Sequence, residues 1–166
     1  MAEIAQTVTP FNSPIETGVR ALILLAESYP ERLDLQRILE FDYLMVHSGD
    51  VGGPPSLHPP LPLRSGELLV RRQLIERGLL LMMSRRLVTR FAAADGFTYQ
   101  ADDSAGPFLD ALTAAYLDEL KQRASWVCGT FGTMSDTDIK HVLTAVYDHD
   151  QWTREFQVHE RPGLRA

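Results

Sequence analysis

The sequence predicts a mainly helical protein in which three helices and a β-hairpin form one core and further helices follow. Apolar residues recur at helical spacing through most of the chain, helix-start signals precede those runs, and one short Asp-Gly turn joins two strand-like segments.

The first helix opens at Ser13-Pro14-Ile15-Glu16. Ser13 is placed to accept from the first-turn amides, Pro14 suits the first helical position, and Glu16 can reach back. Val19, Leu22, Ile23 and Ala26 make its apolar stripe, and Pro30 ends it. A second helix starts with Asp34 as cap and carries Leu35, Ile38, Leu39, Leu44, Met45 and Val46 toward His47, with Gly49, Gly52 and Gly53 closing it. Between Ser48 and Ser65 stand Pro54, Pro55, Pro59, Pro60 and Pro62, which exclude a regular helix or a central strand. The segment is expected to be an ordered or semi-ordered loop, long enough to suggest contact with something.

The third helix, from about Gly66 to Ser84, is apolar almost all the way round when projected at about 100° per residue. Leu68, Ile75, Leu79 and Met82 make one face, Val70, Leu74 and Leu81 another, and Leu69 and Leu80 lie between; Gln73, Arg77 and Ser84 form the polar strip. Such a helix is buried on more than one side, by its own domain or by a partner. Leu87 to Ala93, the turn Ala94-Asp95-Gly96 and Phe97 to Ala101 read as a hairpin. Three helices followed by a hairpin is the order of a winged helix. The expected fold is therefore mainly α and winged-helix-like over about residues 12–103, with the hairpin as wing. A helical C-terminal extension over about residues 104–151 completes a single domain, 1–166. One long helix is expected from Ser104 to Phe131, entered through Pro107, with Phe108, Leu112, Tyr116, Leu120, Ala124 and Val127 near one stripe. A last helix begins at Ser135-Asp136-Thr137-Asp138 and buries Ile139, Val142, Leu143 and Val146, with a loose polar tail after Trp152.

A net charge of −6 disfavours a protein whose main task is to hold a phosphate backbone. Cys128, the one cysteine, excludes an intramolecular disulfide and a thiolate metal cluster, as suits a reducing compartment. Met1 to Pro10 lacks the pattern of a secretory signal, and Arg71, Arg72, Glu76 and Arg77 interrupt the most apolar stretch, so a cytoplasmic chain without a membrane span is expected.

Residues able to do chemistry are sparse. His47, Ser48 and Asp50, with Asp42 upstream, bring an imidazole, a hydroxyl and carboxylates together, but helix termination and turn capping account for the same residues. His58 lies in Leu57-His58-Pro59-Pro60-Leu61-Pro62, either a polyproline ligand or, as favoured, a structural loop anchored by Leu57, Leu61 and Leu63. Cys128, beside Trp126 and Val127, reads as a core residue, and Gly49 to Gly53 lacks the Lys-Ser/Thr of a phosphate loop. No catalytic residue, metal ligand or cofactor site is expected. Arg71, Arg72, Arg77, Arg85, Arg86 and Arg90 crowd the third helix and the hairpin, where a DNA-binding winged helix has its recognition helix and wing. The alternative places them at a protein interface, or on a surface paired with Glu67 and Glu76.

Longer strings add to this. His47-Ser48-Gly49-Asp50-Val51-Gly52-Gly53-Pro54, Ser56-Leu57-His58-Pro59-Pro60, Arg64-Ser65-Gly66-Glu67-Leu68-Leu69-Val70-Arg71-Arg72 and Leu74-Ile75-Glu76-Arg77-Gly78-Leu79-Leu80-Leu81-Met82-Met83-Ser84 resemble the middle-component family of bacterial ABC-three-component systems. Gly106-Pro107-Phe108-Leu109-Asp110 matches more loosely, and the likeness spans about Asn12 to Phe131. The resemblance implies a small winged-helix-like accessory subunit, encoded beside an SMC-like ABC ATPase and an effector, often a nuclease, in Lamassu-type anti-phage defence, with no catalytic residues to carry over. The expectation is a non-catalytic adaptor that binds the ATPase, with DNA in reach through the complex. Its candidate partner interface is Val70, Arg71, Arg72, Leu74, Arg77 and Leu81. The rival, a DNA-binding winged helix, uses Arg71, Arg77, Arg85, Arg86 and Arg90 against phosphates.

Overall fold

The computed structural model describes residues 13–60 and 65–159. Its elements are α1 (Pro14–Ser28), β1 (Leu33–Asp34), α2 (Leu35–Val46), a 3-10 turn (Ser48–Val51), α3 (Ser65–Ser84), β2 (Val88–Ala93), β3 (Gly96–Ala101), α4 (Ala105–Asp110), α5 (Ala115–Phe131) and α6 (Asp136–His159). The described residues are thus mainly helical, a helical core with a β-hairpin as expected.

Caps set the first two helices where the sequence places them. Ser13 Oγ accepts from the Glu16 amide at 3.2 Å, with Pro14 in the first turn, and Asp34 Oδ1 accepts from the Arg37 amide at 2.7 Å. The core gathers Leu22, Leu24 and Leu25 of α1, Ile38, Phe41 and Leu44 of α2, Ile75 and Leu79 of α3, Leu120 and Val127 of α5, and Ile139 of α6. The sheet runs β1-β3-β2, all antiparallel, with Leu33 opposite Tyr99 and Val88 opposite Ala101.

Three expectations change. The hairpin turn is Ala94-Asp95, because Gly96 pairs with Ala93; the glycine follows the turn and takes the left-handed φ of 132°. The single helix from Ser104 to Phe131 is two helices, α4 and α5, separated by an extended Ala114 at φ −63° and ψ 137°. Packing accompanies the break: Leu109 is buried and Leu112 lies against the core, while the Leu109 carbonyl accepts from the Leu112 amide at 3.2 Å and from Lys121 Nζ at 3.0 Å. The last helix does not stop at Trp152 but continues to His159. Met1 to Pro10, Leu61, Leu63 and the side chains of Glu67, Leu68 and Trp152 lie outside the described residues.

The described part of the proline loop, residues 48–60, packs on its own domain. Ser48 Oγ donates to the Pro54 carbonyl at 2.8 Å, Ser56 Oγ accepts from the Gly49 amide at 2.9 Å, and the Arg123 guanidinium of α5 donates twice to the Pro55 carbonyl. Leu57 and His58 amides both donate to the Val46 carbonyl, which folds the loop back over the end of α2. A Cβ on Gly53 would lie 2.3 Å from the Trp126 ring, so only glycine fits beneath that indole.

Helices α1 and α3 cross at backbone contact. A Cβ on Gly78 would sit 2.6 Å from the Gly18 nitrogen, and one on Gly18 would sit 2.8 Å from the Gly78 carbonyl oxygen. Alanine normally exceeds glycine in a helix by about 1 kcal/mol, but overpacking two backbones costs about 1–3 kcal/mol. Gly78→Ala is therefore expected to lower unfolding free energy in urea titrations. A gain in stability would show that the helices do not meet at this distance.

Candidate partner-docking surface

Asp42 sets the rotation of the helix that carries this surface. It lies on α2 within Phe41-Asp42-Tyr43-Leu44-Met45-Val46, and only 1% of its side chain is exposed. Oδ1 accepts from Arg20 Nε at 2.6 Å, and Oδ2 accepts from Arg20 Nη2 at 3.1 Å and Arg71 Nη1 at 2.6 Å. One carboxylate thus ties α1, α2 and α3. Burial alone would push its pKa up; Arg20 and Arg71 outweigh that and hold it below the ordinary value. Arg71 is also 5.6 Å from the Tyr43 ring centre.

Two histidines lie close to this joint. His58 is buried and shares a 2.6 Å hydrogen bond between Nε2 and the Tyr116 hydroxyl of α5. His47 is buried beside the Tyr43 ring at 4.8 Å and the His58 ring at 6.1 Å, and neither of its ring nitrogens has a hydrogen-bond partner among the described residues. Burial, with Arg71 for His47 and Arg20 for His58 adding to it, lowers both to about 4, so both are neutral at pH 7. Burial likewise raises Tyr116 to about 12. Asp50 Oδ2 accepts from the Tyr43 hydroxyl at 2.7 Å, and both oxygens of Asp42 accept from arginines. No group of three or more His, Cys, Asp or Glu among the described residues could hold a metal. Cys128 is half-buried with Sγ 3.4 Å from Ser28 Oγ, and burial raises its pKa.

With Arg71 turned to Asp42, α3 presents three sectors. Arg71, Ile75, Leu79 and Met82 face the core. Val70 and Arg77 are exposed and Leu74 and Leu81 half-buried, forming a second row. Leu69, Gln73, Glu76 and Leu80 are all exposed and form a third. Of the expected interface residues, Arg71 is only 13% exposed, while Arg72 lies partly exposed, 3.3 Å from Gln36 Oε1 and 3.9 Å from Glu76. Arg77, Arg85, Arg86 and Arg90 are exposed; Arg86 takes a left-handed φ of 57° as α3 ends, and Arg90 lies 4.2 Å over the Phe97 ring.

Arg20 is the residue that sequence reasoning missed. A charge inside Val19-Arg20-Ala21-Leu22 implies a buried partner, and Asp42 within an equally apolar run is the matching signal. The inward turn of Arg71 was also legible, since it precedes Ile75 by four residues and Met82 by eleven on the core face.

Large apolar side chains left in water on one helix are the mark of a subunit made to contact other proteins. The chain belongs to such a class: residues 10–155 match the family ABC-three component (ABC-3C) system Middle Component 2, and it is a member of that family. As such it is an accessory subunit of an ABC-three-component system and works with the other components of that system. No curated protein and no solved structure matches it. No helix among the described residues is long and apolar enough to cross a membrane.

The joint yields two expectations. Asp42→Ala leaves Arg20 buried without its carboxylate and should cost about 3–5 kcal/mol in chemical unfolding; a loss below 1 kcal/mol would mean the pair is solvated. For pH, the two histidines titrate from about 6.5 in the unfolded chain to about 4 in the fold. Between those values the unfolded state binds more protons, so stability falls as pH falls through that window. Glu16 and Glu40, which burial raises, act in the opposite sense. His47→Leu should flatten the dependence between pH 6.5 and 4 by up to one proton, about 1.4 kcal/mol per pH unit, measured as the slope of unfolding free energy against pH.

Proposed function

We propose that this chain is a non-catalytic, cytoplasmic adaptor that grips an SMC-like ABC ATPase and helps scaffold or restrain an effector nuclease in Lamassu-type anti-phage defence. Family membership supports the system and the subunit role. The observation that carries the docking site is the second row of α3, Val70-Leu74-Arg77-Leu81, an apolar strip with a guanidinium in its length, about 90° round the helix from Arg71. Arg72 flanks α3 on its hairpin side, and the proline loop, pinned by Ser48 and Arg123, offers a second, preformed contact. The order α1-β1-α2-α3-β2-β3, with sheet order β1-β3-β2, supports a winged helix as the carrier.

One observation favours the DNA-binding reading: Arg77, Arg85, Arg86 and Arg90 stand exposed on α3 and the hairpin. The outward face of α3 speaks against it, because Leu69, Val70, Glu76 and Leu80 occupy positions that a groove-reading helix gives to polar and basic groups. Weak binding of the isolated chain to duplex DNA is the expected result.

Co-purification with the ABC ATPase of its own system tests the adaptor. Val70→Glu combined with Leu81→Glu should weaken the complex by about tenfold or more, while circular dichroism shows an unchanged fold. Undiminished capture by that variant, or tight salt-sensitive DNA binding by the isolated chain with no ATPase complex, would overturn this assignment.

A further inference from the structure

The third sector of α3 has a pattern of its own. Leu69, Gln73, Glu76 and Leu80 follow one another at steps of four, three and four residues, the spacing of a coiled-coil seam. All four are exposed, Leu69 at 57% and Leu80 at 56%. The seam reads the same from either end: a leucine, two polar residues, a leucine. Beside Leu80 lies a groove of about 450 Å³ between α3 and the hairpin, with Leu79, Met83 and Phe97 in its wall, and Phe97 is itself 50% exposed.

We propose that this seam binds the same seam of a second copy of the chain, with the two α3 helices antiparallel. Pairing about the midpoint between Gln73 and Glu76 sets Leu69 on the partner's Leu80 and Gln73 on the partner's Glu76, each contact occurring twice by symmetry. The Gln73 amide then donates to the partner's carboxylate, which satisfies both polar layers. The partner's Leu69 reaches the groove beside Leu80, since leucine and groove are equally far from the midpoint. A parallel pair would set Glu76 against the partner's Glu76, a like-charge contact at the seam, so antiparallel is the orientation that charge allows. This contact uses a different row from the one assigned to the ATPase, about 100° away on the helix.

Size-exclusion chromatography with light scattering on the full chain is expected to give twice the 18.6 kDa of one copy. Leu80→Glu should return the single-chain mass with the same circular dichroism spectrum, and should still be captured by the ATPase. The orientation is read by disulfide trapping in a Cys128→Ser background. Leu69→Cys with Leu80→Cys should close into a covalent dimer on mild oxidation. Leu69→Cys alone should not, because in the antiparallel pair the two copies of position 69 are roughly 16 Å apart along the axis at 1.5 Å per residue. A single-chain mass at every concentration, a dimer that survives Leu80→Glu, or efficient trapping by Leu69→Cys alone would each overturn the proposal. Loss of ATPase capture in Val70→Glu/Leu81→Glu with the doubled mass retained separates it from the adaptor assignment.

Discussion

The carboxylate of Asp42 is the constraint on which the arrangement of helices depends. Burying one carboxylate and two guanidiniums is expensive in desolvation, and a buried ion pair is a poor source of net stability. What it supplies is geometry. Arg20 grips both oxygens from α1, and Arg71 reaches the same group from α3. Once Arg71 points inward, the rotation of α3 about its own axis is fixed, and every other residue of that helix has its side chosen. Ile75 and Leu79 go to the core, while Leu69, Val70 and Leu80 are left in water. The apolar exterior of α3 is therefore a consequence of a charged interior contact.

The loop after α2 extends this logic. Its described residues, 47–60, carry no regular secondary structure beyond a 3-10 turn, yet their backbone is held by Ser48, Ser56, Arg123 and the Val46 carbonyl, and Gly53 lies under Trp126. These bonds bring His58 to Tyr116 of α5. Burial then keeps His47 and His58 neutral beside two arginines, so the cationic side of the cluster does not grow at neutral pH.

Much of this was legible in the sequence, and the misses have definite causes. Ser13, Asp34 and the stripe of α1 gave helix bounds because capping and periodicity are local. The hairpin was recognisable, but its turn lay one residue earlier than the Asp-Gly pair suggested, since Gly96 follows the turn. The break between α4 and α5 carries no proline or glycine at Ala111 to Ala114; it accompanies the burial of Leu109 and the reach of Lys121, neither of which a local pattern records. The apolar circumference of α3 was visible from spacing alone. The reason for it was only half visible: spacing puts Arg71 on the core face, but no local pattern names Asp42, 29 residues earlier, as its partner. His47 and Asp50 looked like chemistry, and Tyr43, Arg20 and Arg71 are what engage the carboxylates around it.

The glycine crossing of α1 and α3 has a mechanical consequence. Helices separated by side chains can slide by repacking rotamers, with a gradual rise in energy. At Gly18 and Gly78 there is no such cushion, because the peptide backbones themselves are in contact. Axial displacement of α3 runs one main chain into the other, so the two helices behave as one stiff lever. The outer rows of α3 are thereby coupled to α1 at the crossing and, through Arg20 and Asp42, to α2.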